Sequence, residues 1–255
     1  MSEIPNKFVW YDLMASDHKA AESFYRKVIG WGAMDAGVAD RSYTIFSMGS
    51  AMVGGLMPIP EEASARGARP MWTGYIGVDD VDGYAARVTA AGGKISRAPE
   101  DIPGVGRFAV VGDPHGATFV LFKGMGEIPA DAAGAPGRIG WHELHAGDLE
   151  TAFPFYASLF GWTKADALDM GPMGIYQIFA TGGAPVGGMM TKTSDMPVPM
   201  WLYYVNVDAA DAAVERIKEN GGQVLMGPHE VPGGSWIVQG IDPQGAMFAI
   251  VAPKR

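Results

Sequence analysis

Two residues with catalytic chemistry, Glu143 and His145, lie close together in the second half of the chain. If this segment is a β-strand, residues two apart share a face, so the carboxylate and the imidazole point to one side and His142 points to the other. A carboxylate beside an imidazole can anchor a ligand or relay a proton. The pattern is not the His-Glu-x-x-His zinc motif, which needs a spacing of four residues on a helix. We predict Glu143 and His145 as catalytic residues, and no third residue at a matching strand position would complete a metal site with them.

A second carboxylate, Asp12, has the same place in a first copy of the surrounding sequence. Both acidic residues stand between apolar neighbours, where a buried carboxylate is costly unless it is hydrogen-bonded or protonated. One interpretation is structural, with a facing Tyr, Trp or backbone N–H donating to each carboxylate. The other is functional, with the carboxylate as a ligand anchor or a general base. Met14 stands where the second copy has His145, which favours Glu143 and the second half as the working site.

The chain is built from an internal repeat, and the repeat predicts its architecture. A pattern of Trp, any residue, an acidic residue and Leu, followed by Asp, Phe-Tyr and Gly-Trp, begins at Trp10 and again at Trp141. Within each half, an alternating strand, a helix-capping position, a short helix and further strands occur twice. Other shared motifs are Gly54-Gly55 and Gly187-Gly188, Pro70-Met71-Trp72 and Pro199-Met200-Trp201, and the turns Asp113-Pro114-His115-Gly116 and Asp242-Pro243-Gln244-Gly245. We predict a first domain over 1–126, a linker over 127–138 and a second domain over 139–255.

The composition restricts the class of protein. Of the 255 residues, 48% are hydrophobic and 18% are charged, as in folded globular proteins. The net charge of −9 argues against a nucleic-acid partner, because phosphate binding needs a basic surface. The absence of cysteine excludes disulfides, thiol catalysis and cysteine zinc sites. No apolar run has the length of a membrane span and we recognise no signal peptide, so we expect a cytoplasmic protein with no membrane partner.

The repeated motifs resemble those of the vicinal oxygen chelate superfamily, which includes glyoxalase I, bleomycin-resistance proteins and extradiol dioxygenases. The resemblance rests on the two copies of the Trp-to-Gly-Trp pattern and on the two Asp-Pro-x-Gly turns, and it covers essentially the whole chain. It implies an α+β fold with two tandem glyoxalase-like domains, each built of two βαβββ units whose curled mixed sheets surround a cleft. It implies no single activity, because the superfamily includes lyases, oxygenases, transferases and binding proteins.

The resemblance also implies where a divalent metal would bind. Members that use a metal place His, Gln or Glu at fixed strand positions, counted from the residue that opens each helix and from the Asp-Pro turns. In this sequence those positions are Trp10, Thr73, Val120, Trp141, Leu202 and Ala249. Transition metals prefer imidazole, thiolate or carboxylate donors, which these residues do not supply. We therefore expect no metal at the family position, and no cofactor.

Large aromatic and apolar residues take the place of the ligand row, which is typical of an apolar small-molecule pocket with a few polar anchors. The predicted ligand-binding residues are Trp10, Asp12, Thr73, Tyr75, Trp141, Tyr204 and Asn206. The alternative interpretation of the aromatic residues is plain core packing.

We therefore predict a protein that binds a small organic molecule in an apolar cleft without the family's metal, and the sequence leaves open whether it is an enzyme. One alternative is a metal-dependent lyase or dioxygenase of the glyoxalase type. Another is a non-catalytic interaction protein whose cleft is filled by its own side chains. The resemblance also leaves a homodimer open, since family members often pair domains across an interface.

Overall fold

The structure is a computed structural model that describes residues 6–37, 42–126 and 134–255. In the first half the strands are β1 (Phe8–Ala15), β2 (Gly32–Asp35), β3 (Thr44–Met48), β4 (Ala51–Pro58), β5 (Met71–Gly77), β6 (Lys94–Ile102), β7 (Gly106–Gly112) and β8 (Thr118–Gly124), and the helices are α1 (His18–Val28), α2 (Glu61–Ala65) and α3 (Val81–Ala90). In the second half the strands are β9 (Ile139–Ala146), β10 (Thr163–Asp169), β11 (Ile175–Ala180), β12 (Pro185–Thr191), β13 (Met200–Asn206), β14 (Gln223–Glu230), β15 (Trp236–Ile241) and β16 (Met247–Ala252), and the helices are α4 (Leu149–Phe160) and α5 (Ala210–Glu219).

The strands form two eight-stranded mixed sheets, one for each half of the chain. The strand order is β2-β3-β4-β1-β5-β8-β7-β6 in the first sheet and β10-β11-β12-β9-β13-β16-β15-β14 in the second, so one topology occurs twice. β1 pairs in parallel with β4 and β9 with β12, while strands joined by turns, such as β2 and β3, pair antiparallel. The expected α+β architecture, with two βαβββ units in each half, is confirmed.

Contacts between residues divide the chain into two compact units, and each unit combines segments from both halves. The first unit comprises Met1–Val9, Thr73–Ala130 and His142–Trp201, and the second comprises Trp10–Trp72, Asp131–Trp141 and Leu202–Arg255. The domain limits at 126 and 139 stay predictions, and residues 127–133 of the predicted linker lie outside the described residues.

Three of the helices begin at an aspartate. Asp17, Asp80 and Asp148 are the N-caps of α1, α3 and α4, and each side chain accepts a hydrogen bond from a backbone N–H of the first turn. That bond satisfies one of the donors that a helix leaves open at its start. α4 ends at Gly161, whose φ of 71° lies in the left-handed region that glycine adopts without strain. Among the described residues, no helix is both long enough and apolar enough to cross a membrane.

Three buried side chains are hydrogen-bonded in series in the core of the first unit. The indole Nε1 of Trp201 donates to the hydroxyl of Tyr156 at 3.1 Å, and that hydroxyl donates to Oδ2 of Asp113 at 3.2 Å. The other carboxylate oxygen of Asp113 accepts backbone N–H groups from residues 115–117, which closes the Asp-Pro-x-Gly turn. The ring of Tyr156 also stacks on Trp162, with 5.5 Å between centroids. Motifs that are far apart in the sequence therefore meet in one hydrogen-bonded core.

The second unit contains the same chain of side chains. Trp72 donates to the hydroxyl of Tyr25 at 2.9 Å, and Tyr25 donates to Asp242 at 3.2 Å. Burial raises the pKa of Tyr25 well above its usual value, and burial also raises the pKa of the Asp242 carboxyl. Each of these buried polar groups has a partner, as buried polar groups in folded proteins generally do. The Phe-Tyr, Pro-Met-Trp and Asp-Pro motifs recur together because each of them supplies one member of the Trp–Tyr–Asp hydrogen-bond network.

The Gly-Trp motifs supply a further tether in each unit. In the first unit the indole Nε1 of Trp162 donates to the backbone oxygen of Asn6 at 2.7 Å. In the second unit Trp31 donates to the backbone oxygen of Gly137 at 2.8 Å. Each indole therefore holds the segment that leads into the first strand of a half, β1 or β9.

Candidate functional site

Glu143 and His145 lie two residues apart on β9, within the first unit. β9 pairs in parallel with β12, where Gly188 is opposite Glu143 and Met190 is opposite His145. Both polar side chains are buried, with 7% of each residue exposed. A buried carboxylate needs hydrogen-bond or ion-pair partners, and those partners determine which of its oxygens a ligand or a proton can reach.

Tyr176 on β11 holds the carboxylate of Glu143. Its hydroxyl donates to Glu143 Oε2 at 3.0 Å. The tyrosine ring passes directly over Gly188, because a Cβ atom at Gly188 would overlap the ring and its hydroxyl. The second glycine of the Gly187-Gly188 motif therefore leaves the space through which the tyrosine reaches the carboxylate.

His145 lies against the other oxygen of the same carboxylate. Its Nε2 is 2.8 Å from Glu143 Oε1, which is close enough for an ion pair, but the ring is turned so that this nitrogen does not meet hydrogen-bond geometry. A bare lone pair would repel a carboxylate oxygen at that distance, which assigns the proton to Nε2 and leaves Nδ1 as the basic nitrogen. Nδ1 has no hydrogen-bond partner among the described residues, and unlike Nε2 it is not sealed from solvent.

The loop that follows β12 brings a second carboxylate, that of Asp195, near His145. The pKa of the Asp195 carboxyl is lowered, chiefly by a hydrogen bond with the side chain of Thr193 and further by the charges of His145 and Lys192. The ammonium of Lys192 donates to a backbone carbonyl of the same loop at 2.8 Å. His145 therefore has a buried carboxylate, that of Glu143, in contact and an exposed one nearby.

His142 lies on the opposite face of β9, as strand alternation predicts. Its ring stacks on Phe8 with 4.4 Å between centroids and 8° between planes, and its Nδ1 lies 2.8 Å from the backbone oxygen of Val186. Burial lowers the pKa of His142 to about 4, so the ring is neutral near pH 7. His142 is a packing residue outside the Glu143–His145 pair.

Asp12 has corresponding surroundings in the second unit. Its Oδ1 accepts hydrogen bonds from the hydroxyl of Tyr43 at 2.7 Å and from the indole Nε1 of Trp10 at 2.9 Å. A Cβ atom at Gly55 would overlap both the Tyr43 hydroxyl and the carboxylate. Burial, followed by the charge of Asp12, raises the pKa of Tyr43 above its usual value, so the hydroxyl stays a donor. These are the Tyr and Trp partners that the structural interpretation of the sequence expects.

Tyr43 and Tyr176 were not among the site residues predicted from the sequence. They hold equivalent places in the two halves, and each reaches the carboxylate past the second glycine of a Gly-Gly pair. A signal for them is present, because a Tyr followed three residues later by Phe, and then by a Gly-Gly pair, occurs once in each half. The link between that signal and the carboxylates depends on strand register, which periodicity alone does not give.

Two other predicted residues, Trp141 and Tyr204, lie together in the second unit. Tyr204 is 1% exposed and forms a core cluster with Leu202 and Ala249, against which Trp141 packs. The Tyr204 hydroxyl accepts a hydrogen bond from Nε2 of Gln239 at 2.6 Å. These contacts are those of a packed core, which is the alternative that the sequence left open for the aromatic residues.

Asn206 is tied to the chain that precedes β9. Its Nδ2 donates to the backbone oxygens of Ala135 at 3.2 Å and Arg138 at 3.1 Å. The side chain of Asn206 therefore fixes the approach to β9, and both protons of its amide are engaged.

Thr73 and Tyr75 lie on β5 in the first unit. Thr73 is 5% exposed, and its hydroxyl oxygen has no hydrogen-bond partner among the described residues. Tyr75 is opposite Val120 on β8 and packs edge-on against Phe122, with 5.8 Å between centroids. Their role in binding stays a prediction.

The donor set does not fit the metal of the fold family. The strand positions where family ligands are expected hold Trp10, Thr73, Val120, Trp141, Leu202 and Ala249, which offer no imidazole or carboxylate. Within residues 6–37, 42–126 and 134–255, no group of three or more His, Asp or Glu side chains is placed to hold a metal ion. Glu143 and His145 supply two donors, short of the three or four protein ligands that transition-metal sites generally have.

The four βαβββ units in two mixed sheets define the class of fold, and comparison with known proteins gives the family. The sequence model of the Glyoxalase/Bleomycin resistance protein/Dioxygenase superfamily matches residues 7–121 and 138–250. The chain belongs to this superfamily. The two matched ranges correspond to the two halves of the internal repeat.

The chain is similar over nearly its whole length to two curated proteins. It is 32% identical over 246 residues to "Putative glyoxylase CFP32" of Mycobacterium bovis, covering 96% of this chain and 94% of that protein. It is 33% identical over 263 residues to "Anthracycline biosynthesis protein DauV" of Streptomyces sp. (strain C5), covering 97% of this chain and 93% of that protein. Among solved structures, the Mn(II)-bound glyoxalase from Novosphingobium aromaticivorans shares the fold, with a TM-score of 0.67, 19% identity, and coverage of 97% of this chain and 82% of that chain.

Proposed function

We propose that the protein binds a small organic molecule in an apolar cleft, and that it does so without the metal used by other members of the superfamily. The observation that carries this proposal is the buried group formed by Glu143, Tyr176 and His145. Small-molecule sites are mostly apolar, with a few placed polar atoms that orient the ligand, and this group supplies such atoms.

The second half is the half that we assign to ligand binding. The equivalent carboxylate, Asp12, accepts hydrogen bonds from Tyr43 and Trp10. Met14 stands where the second half has His145, so the first half lacks the imidazole. Both halves therefore have a carboxylate that accepts a hydrogen bond from a tyrosine. Only the second half has an imidazole, that of His145, beside this carboxylate.

The names of the relatives support a small organic partner. One is named as an anthracycline biosynthesis protein and the other as a glyoxylase, and both names refer to the chemistry of small molecules. The residues at the family's ligand positions support the metal-free part of the proposal, because a divalent transition metal finds no suitable donors there.

Native mass spectrometry of the full-length protein, purified with and without added manganese and zinc, tests this function. We expect the mass of the chain plus one organic molecule and no stoichiometric metal. The Glu143→Gln variant, which keeps the shape of the side chain and removes its charge, is expected to retain the organic molecule about tenfold less, since one charge-assisted hydrogen bond contributes about 1.4 kcal/mol or more.

Asp12→Asn is the matched control, because it makes the same chemical change at the equivalent position of the first half. We expect this variant to lose less of the organic molecule than Glu143→Gln does. Equal losses in both variants would contradict the assignment to the second half. One bound metal ion per chain, or no organic mass in any preparation, would overturn the proposed function itself.

A further inference from the structure

We infer that His145 is the proton acceptor for a hydroxyl group of the bound molecule, with Nδ1 as the accepting atom. The inference rests on the proposed function, because it requires a ligand beside Glu143. It also assigns a chemical class to that ligand, namely a neutral organic molecule that carries an acidic hydroxyl, as a phenol does.

The first step of the argument is the unequal use of the two ring nitrogens of His145. The residue is 7% exposed, and buried polar atoms are almost always hydrogen-bonded. Nε2 lies 2.8 Å from Oε1 of the Glu143 carboxylate, although it does not meet hydrogen-bond geometry with it. Nδ1 has no partner among the described residues and keeps access to solvent. A nearly buried ring with one open lone pair is arranged to accept a proton or hydrogen bond from a molecule that is not part of the chain.

The second step is the charge around the ring. The charged groups with a contact or charge interaction with the ring are Glu143 on β9 and Asp195 on the loop after β12, whereas Tyr176 on β11 and Lys192 interact with those two carboxylates. Tyr176 is neutral and donates to Glu143, and the ammonium of Lys192 donates to a carbonyl of its own loop. Two carboxylates therefore lie near the ring, and their negative charge disfavours anionic ligands such as carboxylates or phosphates.

The proton transfer balances without any other reactant. The O–H bond of the ligand breaks, an N–H bond forms at Nδ1 of His145, and the electron pair stays on the ligand oxygen. The imidazolium is stabilised by the Glu143 carboxylate at Nε2, and the ligand oxygen accepts a hydrogen bond from the new N–H. Glu143 is a positioning residue in this step, because it fixes the tautomer of the ring without touching the proton that moves.

Binding of 4-nitrophenol to the full-length protein tests the inference, because this phenol absorbs visible light strongly only as the phenolate. The titration is made at a mildly acidic pH at which free 4-nitrophenol is mostly neutral. We expect a saturable rise in phenolate absorbance of at least about threefold over free 4-nitrophenol, the change produced when an adjacent cation lowers a pKa by about half a unit. Calorimetry of the same titration reports binding independently of the colour.

Three variants make the readout specific. His145→Gln is expected to abolish the rise in absorbance while the chain stays folded, and Glu143→Gln to reduce it at least about threefold, because the imidazolium loses its counter-charge. His229→Gln is the control, since His229 is an exposed histidine on β14. We expect it to behave like the unmodified protein.

The outcomes separate this inference from the proposed function. Saturable binding of 4-nitrophenol as the neutral phenol would overturn the role of His145 and leave small-molecule binding intact. Saturable binding with a phenolate rise that survives in His145→Gln would also overturn it. No saturable binding of 4-nitrophenol would reject the acidic hydroxyl as the ligand class, whereas the proposed function is judged separately by the organic mass retained in native mass spectrometry.

Discussion

Glu143 and Asp12 show how one repeated position is used in two ways. Each carboxylate accepts a hydrogen bond from a tyrosine, Tyr176 or Tyr43, that reaches it past a glycine. The difference lies two residues further along the strand, where the second half has His145 and the first half does not. The shared tyrosine keeps a buried carboxylate satisfied in both halves, and the imidazole adds a basic atom in one.

Gly188 has no side chain, and this leaves the space that the Tyr176 ring needs to reach Glu143. Gly188→Ala is expected to lower the free energy of unfolding by about 1–3 kcal/mol, because the added methyl group overlaps the Tyr176 ring and forces it away from Glu143. Urea denaturation followed by circular dichroism measures the change. Gly183→Ala is the control, since open space surrounds Gly183, and its effect should stay within about 0.5 kcal/mol. Similar losses in both variants would contradict the close approach of the tyrosine.

His142 gives the protein a pH dependence of stability that is separate from the site. Its pKa of about 4 in the folded state is below the usual value of 6.5, so between these values the unfolded chain binds more protons. Stability therefore falls as the pH is lowered through this window, by up to about 3 kcal/mol in total.

Urea denaturation at several pH values between about 4 and 7 checks this effect of histidine titration. The His142→Phe variant keeps an aromatic ring beside Phe8 and should show a flatter pH dependence than the unmodified protein. His229→Gln replaces an exposed histidine and should keep the full slope. Parallel curves for His142→Phe and the unmodified protein would show that the buried ring is not the cause.

At the scale of elements, the sequence predicts the units well because the signals are local. Asp17, Asp80 and Asp148 cap helices, and the Asp-Pro-x-Gly sequences form turns whose Asp accepts the following backbone N–H groups. The hydrogen-bonded chains from Trp through Tyr to Asp could not be predicted in the same way. Their members come from distant parts of the sequence, and only the folded unit brings them together.

The hydroxyl of Tyr156 connects Trp201 on β13 to Asp113 in the Asp-Pro-x-Gly turn. Tyr156→Phe is expected to lower the free energy of unfolding by about 1–3 kcal/mol, because the indole N–H of Trp201 and one oxygen of Asp113 each lose a buried partner. Thermal and urea denaturation measure the loss. Tyr25→Phe is predicted to have a similar effect, since Trp72 and Asp242 lose the same bonds in the second unit.

Tyr84→Phe provides the control for these two variants. The Tyr84 hydroxyl is only partly buried and donates to Asn6 at 3.1 Å, so water can replace the lost partner. We expect its removal to change the unfolding free energy by less than about 1 kcal/mol. A Tyr156→Phe variant no less stable than Tyr84→Phe would contradict the role of the buried chain.

At the scale of the whole molecule, the repeat predicts two equivalent halves, and the topology of the two sheets confirms it. The repeat does not predict the composition of the compact units, each of which takes segments from both halves. Sequence similarity shows which segments are alike, whereas packing depends on which complementary faces meet. The predicted ligand-binding role of Trp141 and Tyr204 stays a prediction, because their packing in one cluster of the second unit is equally that of a core.

Residues 1–126 expressed alone are expected not to fold as a monomer. This fragment contains residues 73–126 of the first unit without 142–201, and residues 10–72 of the second unit without 202–255. Tyr25 then lacks Asp242, and Asp113 lacks Tyr156. Size-exclusion chromatography and thermal melting of the fragment, alone and mixed with residues 134–255, provide the measurement. A monomeric fragment with a cooperative melt would refute this expectation, and recovery of folded protein on mixing would support it.

Each compact unit takes segments from both halves of the chain, and this affects how assembly depends on protein concentration and how freely the two halves can differ in sequence. Because both halves carry the same Trp, Tyr and Asp motifs, a half-length chain would find its missing partners in a second copy of itself. Joining two copies by peptide bonds converts that association into an intramolecular event, with effective concentrations typically in the millimolar range for short connections. Assembly then no longer depends on how much protein is present. The two copies also no longer need to be identical, which is the condition under which one can carry His145 and the other Met14.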